Sequence, residues 1–474
     1  MLWIRGGEVL AVNTGIRATA RLMTKAGVLA AGLAAILAAG GCQKLVMDDT
    51  PSNPPRVLEP AVRTFRVREA RESGISAWYD VEALRLASGT HSLVYADKTL
   101  KIPVATGKAL VAEYDRHIYD TITSAFGEAE DVDGNGKVII LLLDIIDGYA
   151  GTGGYVAGYF DERNMFSKSV YADSNEADML FLDVKQQNVP SREFYTALVH
   201  ELQHLIYFSR TARGEKEQDT WLSEGLATAA EYVYGGPQQR YVDYFNSTDD
   251  RNTIPQGDTF YVWGNRDDPR ADYATVYLFF QWLRIHAKNG RGVYRDILAS
   301  RYRDYRAVVE AANAQIKLPP GADSGWNWET LFRAWMLANA IGEESGVYGY
   351  RGEISPVAQA ARSRVSSLFP GEGVFSLLSG GSFLPPGSSG ANIRYVGFAS
   401  GTFEGVSTAS PYSGDWLLTF NANADAGGSP ETCFTADIPG GSAARLGRPA
   451  PYELPLPESY PVDALFGTDG ARKR

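Results

Sequence analysis

Apolar residues recur in two rhythms along this chain. Short alternating runs fill 61–105, among them TFRVRE (64–69) and HSLVYA (91–96), and predict a small β-rich lead-in. Helical spacing takes over from Thr106 to Phe126, with Leu110, Val111, Tyr114, Ile118 and Ile122 on one face. KVIILLLDI (137–145) is a continuous apolar run, as expected of a strand buried on both faces. A glycine-rich turn, GTGGYVAGYF, separates it from a second strand, MLFLDV (179–184). Ser191 is placed to cap a helix that runs to about Phe208, with Glu193 in its first turn. Another helix spans about Trp221 to Tyr234, and more cover 270–288, 292–302, 304–314 and 327–341. Strands first and helices after make an α+β chain.

The ends have a different texture. From Lys25 the sequence reads KAGVLAAGLAAILAAGGC: a basic residue, a short apolar run, then small residues before Cys42. The run is shorter than the roughly 20 residues of a membrane span and has the plan of a signal peptide. Residues 1–22 make a poor leader, so Met23 is an alternative start. The expected organisation is a signal at 1–42, a polar Pro-rich linker at 43–60, the lead-in at 61–105 and a main domain at 106–370. A Gly/Pro-rich β module with a Pro-rich tail fills 371–474, and IRYVGF and DWLLTF are its clearest strands.

Composition narrows the function. With 45 basic and 56 acidic residues among 474, the net charge of −11 argues against nucleic acid as a partner. Two cysteines exclude a disulfide framework. Cys433, the second of them, is expected to be a buried small residue. Histidines number only five, and two of them stand at His200 and His204 around Glu201, in the order H-E-x-x-H. On a helix, i and i+4 imidazoles leave one face a turn apart and can share a metal ion. Glu201 lies about 100° round the helix, near enough to act on a water without ligating. A third ligand is needed, and Glu224, in the helical segment WLSEGLA, lies 20 positions beyond His204. That gap lets one helix end and a second return. Glu231, two turns on, is either a carboxylate that orients a ligating histidine or a solvated surface residue.

HELQH with WLSEGLA downstream resembles the gluzincin class of zinc metallopeptidases, and FYTALVHELQHLIYF, DTWLSEGLATAAEY, DVDGNGKVIILLLDI and GGYVAGYFDERN are most similar to the hyicolysin family. The resemblance covers roughly 105–345. It implies a zincin-like fold, Zn2+ as cofactor, a protein or peptide substrate, His200, His204 and Glu224 as ligands, and Glu201 as general base in metal-assisted hydrolysis. Thermolysin-like members carry an aspartate four residues after the ligand glutamate, where this chain has Thr228, so the support around the ligands must differ. The G-x-M-E-N segment of the aminopeptidase type is absent, which favours an endopeptidase. DYATVYLFF resembles the segment that carries the stabilising tyrosine, which puts Tyr273 in that role, with a core aromatic as its alternative. His286 is expected at the surface. Zincins hold an extended substrate along an edge strand, and MLFLDV is the candidate, unless it is a plain core strand. The N-terminus resembles a bacterial lipoprotein signal, implying a lipidated Cys42 and a monomer anchored to the cell envelope or secreted.

A weaker signal is Asp131-Val132-Asp133-Gly134-Asn135-Gly136. Oxygen side chains at positions 1, 3 and 5 open a calcium loop, but position 12 is Leu142, which excludes an EF-hand. A partial Ca2+ site completed by Asp144 or Glu130 and a plain Asx turn are both open. The competing reading for the whole chain is a non-catalytic surface lipoprotein that uses a zincin scaffold for binding.

Overall fold

A computed structural model describes residues 59–70, 77–150, 154–211, 219–266, 269–319, 324–402 and 406–438, with two short strands at 2–5 and 8–11. The signal-like run, Cys42 and the Pro-rich tail lie outside the described residues.

In chain order the main strands are β1 (Leu2–Arg5), β2 (Glu8–Ala11), β3 (Val62–Arg68), β4 (Trp78–Ser88), β5 (Ser92–Asp97), β6 (Val138–Leu143), β7 (Gly154–Phe160) and β8 (Met179–Asp183). They form one mixed sheet in the order β2-β1-β7-β8-β6-β5-β4-β3. β5, β6 and β8 are parallel, while β7 runs antiparallel to β8 and pairs with β1 on its other side. The 61–105 segment therefore supplies strands of this same sheet.

The unbroken apolar run of β6 follows from its central position. Val138, Ile140 and Leu142 face the helices, while Ile139, Leu141 and Leu143 pack with Phe65, Val67 and Tyr95 on the other face. Each such aliphatic side chain contributes about 1.5–3 kcal/mol by leaving water.

The helices are α1 (Val104–Glu113), α2 (Tyr119–Phe126), α3 (Arg192–Arg210), α4 (Thr220–Gly235), α5 (Gln239–Asn246), α6 (Pro269–His286), α7 (Gly292–Ala299), α8 (Tyr305–Gln315) and α9 (Trp328–Ile341). One turn of π-helix, Tyr114–Ile118, joins α1 to α2, so the expected 106–126 helix is continuous but underwound at its middle. Strands and helices together bear out the α+β expectation. A smaller antiparallel sheet follows, with Trp416–Asn421 between Gly373–Leu377 and Ile393–Phe398. Its Phe420 packs on Phe332 of α9, with ring centroids 6.0 Å apart, and ties this sheet to the main core.

Three expectations are corrected. GTGGYVAGYF is not simply a turn, because its last seven residues are β7. β8 is not an edge strand: it is buried along its length between β6 and β7, and every residue of its hydrophobic run packs in the interior. His286 is not at the surface. It is 4% exposed, packs on Trp282 and donates from Nε2 to the Gly349 carbonyl at 2.8 Å. Cys433 is buried, as expected.

Candidate active site

α3 carries the H-E-x-x-H segment through the centre of the molecule. Its start is fixed by Ser191, whose Oγ accepts from the Phe194 amide at 3.1 Å. Val199, His200, Glu201, Leu202 and Gln203 are all buried, because the helix is sandwiched between the sheet and α4. Two glycines permit the close packing. A Cβ on Gly158 of β7 would lie 2.7 Å from Leu182 and 3.3 Å from Cγ of Glu201, so glycine lets β7 pass directly over that glutamate. A Cβ on Gly225 of α4 would lie 2.2 Å from the Phe280 ring of α6, so glycine lets those two helices touch immediately beside Glu224.

This packing brings His200, His204 and Glu224 together, with one ligand-capable atom of each inside a 4.8 Å cluster. Oε2 of Glu224 lies 3.3 Å from Nε2 of His200 and 3.7 Å from Nε2 of His204. Both Nε2 atoms are buried without a hydrogen-bond partner. Such orphaned acceptors are costly unless a ligand satisfies them. Tetrahedral zinc with bonds of about 2.0–2.1 Å holds its donors about 3.3 Å apart, so the three atoms fit a zinc ion.

The other ring nitrogens are anchored. Nδ1 of His200 lies 2.9 Å from Oε1 of Glu231, and Nδ1 of His204 lies 2.9 Å from Oγ of Ser223. These contacts leave both Nε2 atoms turned to the same point. Burial disfavours a charged His204 and pushes its pKa down to about 3, so it stands neutral. Burial opposes the charge on His200 too, but the Glu224 and Glu231 carboxylates outweigh it and raise its pKa to about 9. Two carboxylates flanking one imidazole demand a cation, either a proton or a metal ion. Glu224 itself is held well below the usual carboxylate range: the two histidines overcome its burial.

Glu201 is fully buried, and neither carboxylate oxygen has a hydrogen-bond partner. Burial raises its pKa, the direction a general base needs to take up a proton near neutrality. Tyr273, buried in α6, donates its hydroxyl to Oε2 of Glu224 at 3.0 Å. Burial raises its pKa well above 10, so it remains a donor. Tyr277, one turn along, instead accepts from the Gln238 amide at 2.9 Å, away from the cluster.

Sequence reasoning missed Ser223, Arg240 and Tyr241. Arg240 donates to Oε2 of Glu231, and the Tyr241 hydroxyl lies 3.1 Å from both oxygens of that carboxylate. Arg240 and Tyr241 sit on a short stretch without a motif of its own, and Arg240 becomes notable only once α5 is seen to start at Gln239, where the helix dipole disfavours a cation. Thr228 bonds only the Gly225 carbonyl, which leaves Glu231 as the carboxylate supporting His200.

Around the calcium-like segment, Asp131 and Asp133 meet Asp178, with ligand-capable oxygens inside 4.8 Å. Asp144 is elsewhere, paired with Lys185 at 3.2 Å. Asn135 turns its amide nitrogen to Asp133 at 2.9 Å, while its oxygen accepts from the Lys137 amide. Burial raises the Asp178 pKa to about 8, with Asp133 and Asp131 adding to the rise.

No protein-family description matches the chain. Over 255 residues, 52% of its length, it is 30% identical to the neutral metalloprotease ShpI of Staphylococcus hyicus. The aligned stretch covers 56% of that protein, so the chain spans about half the length of the curated relative it matches. This likeness supports a relationship to metallopeptidases.

Proposed function

We propose that the protein is a zinc-dependent endopeptidase of the gluzincin type, built on a zincin-like fold. The observation that carries the reading is the convergence of two partnerless imidazole nitrogens and an ionised carboxylate beside Glu201. His200, His204 and Glu224 would hold the zinc, which would supply Lewis-acid chemistry at the scissile carbonyl. Glu201 takes the proton of the attacking water on its free carboxylate and delivers it to the leaving amine. Tyr273 exchanges its bond to Glu224 for one to the oxyanion that develops on the substrate. Glu231 and Ser223 hold the histidines in register.

The peptide substrate lies extended along β7, the strand that passes over Glu201, in the place that β1 takes: the antiparallel pairing of β1 with β7 has the backbone geometry a bound peptide requires, so substrate binding displaces β1. Asp131, Asp133 and Asp178 bind Ca2+, with Asn135 shaping the loop. The catalytic domain takes in β3–β5 as well as the 106–370 region, because those strands belong to its sheet, and the C-terminal β-rich segment flanks it. Cys42 is the lipidation site that anchors a monomeric enzyme at the bacterial envelope; among the described residues no helix is long and apolar enough to cross a membrane.

The test is cleavage of unfolded casein by residues 43–474 with and without a chelator, beside Glu201→Gln. Zinc-dependent cleavage lost in the variant is expected. One zinc per chain without cleavage of any protein or peptide would instead favour a binding scaffold.

A further inference from the structure

The carboxylate that supports His200 is itself held by a buried cation from a different helix. Glu231 on α4 is 1% exposed, and a buried carboxylate is held in one orientation only where charged or hydrogen-bonding partners fix it. Arg240 on α5 supplies the partner. One Nη2 reaches both Oε2 of Glu231 and, at 3.0 Å, the hydroxyl of Tyr241, while Nη1 donates to Oε1 of Gln238 at 2.8 Å. Gln238 in turn donates from its side-chain amide to the Glu231 backbone carbonyl at 3.2 Å and from its backbone amide to the Tyr277 hydroxyl at 2.9 Å. The guanidinium also lies 4.5 Å over the Tyr241 ring. Arg240 is thus fixed at both ends of its fork, and Glu231 cannot rotate without breaking several contacts.

The placement runs against local preference. Arg240 is in the first turn of α5, where the helix dipole disfavours a cation, and its side chain is only 15% exposed. Among the described residues the compensating charge comes from Glu231, whose other oxygen meets His200.

We infer that Arg240 is a positioning residue for the metal centre: by fixing the Glu231 carboxylate it aims Nε2 of His200 at the zinc. This rests on the metallopeptidase reading above. Carboxylates behind ligating histidines commonly account for 10- to 100-fold in metal affinity. The guanidinium acts through that carboxylate, so its removal is expected to weaken zinc binding about tenfold.

The experiment measures zinc affinity of the full chain by chelator competition, and the visible spectrum of the cobalt-substituted protein, for wild type, Arg240→Met, Glu231→Gln and the double variant. Expected are an about tenfold loss in Arg240→Met, an altered cobalt spectrum, and no further loss when Arg240→Met is added to Glu231→Gln. Wild-type affinity in Arg240→Met, or additive losses in the double variant, overturns the inference while leaving the zinc site intact. If Arg240→Met does not fold, Arg240→Lys decides. Its ammonium keeps the charge but lacks the fork, so about threefold weaker binding is expected, and unchanged affinity overturns the inference. A wild-type chain that binds no zinc, or a His204→Ala variant that binds it equally well, instead overturns the metallopeptidase reading and this inference with it.

Discussion

Gly225 offers a demanding test, because it has no chemical role and stands next to a proposed ligand. In Gly225→Ala the new methyl would lie 2.2, 2.6 and 2.7 Å from three atoms of the Phe280 ring. Ordinary carbon contacts are about 3.5–4.0 Å, so α4 and α6 must separate by about 1.3 Å or the ring must turn. The ring has little room: Phe280 is fully buried and stacks near Trp221 and Tyr294. Overpacking of this kind costs about 1–3 kcal/mol, offset by about 1 kcal/mol from the better helix propensity of alanine. Net destabilisation should therefore be small, about 0–2 kcal/mol. Function should suffer far more. The shift falls on Glu224 and stretches its 3.0 Å bond to Tyr273 across the same helix pair. A 1 Å misplacement of catalytic groups can cost about 100-fold. The assay pairs casein hydrolysis and zinc affinity with thermal denaturation. A folded Gly225→Ala protein with wild-type hydrolysis and zinc affinity would refute the claim that the α4–α6 contact sets the position of Glu224.

Other consequences are simpler to score. Tyr273→Phe removes the proposed oxyanion donor but no ligand, so kcat should fall about 10²- to 10³-fold with zinc content unchanged; a normal kcat assigns Tyr273 to the core. Gly158→Ala would push β7 away from Glu201 and should lower peptide turnover, and equal turnover would show that the strand is not held at that distance. Burial lowers the His286 pKa from about 6.5 to about 4, so its neutral form stabilises the fold above pH 6.5 and that stability is lost as pH falls through 4. The stability difference between wild type and His286→Phe should accordingly shift against wild type by at most about 3 kcal/mol from pH 7 to pH 4, and a pH-independent difference contradicts this. Calcium should raise the melting temperature of wild type but not of Asp131→Asn; an equal rise in both places the ion elsewhere.

What could be read from the sequence was what is local. The Ser191 cap, the spacing of His200 and His204, and the helix around Glu224 are encoded within a few turns of chain, and α3 and α4 begin and end within two residues of the expected limits. Sheet neighbours are not encoded that way. β6 and β8 are both continuous apolar runs, and nothing in such a run says which strand lies beside it. β7 was hidden because glycine weakens the strand signal exactly where close approach to α3 requires it. α5 follows Gly235-Gly236-Pro237 and spans only eight residues, too short for its periodicity to stand out, so Arg240 and Tyr241 went unnoticed. Asp178 joins Asp131 and Asp133 across the 44 residues that separate it from Asp133, a pairing that β8 beside β6 creates.

In the proposed function His200, His204 and Glu224 together hold a zinc ion at which peptide bonds are cut. X-ray absorption at the zinc edge of the purified protein tests it most directly. Expected is one zinc per chain with two imidazole nitrogens at about 2.0–2.1 Å and a carboxylate oxygen at about 2.0–2.2 Å, the latter lost in Glu224→Ala. A chain without bound zinc, or a shell unchanged in Glu224→Ala, would contradict it.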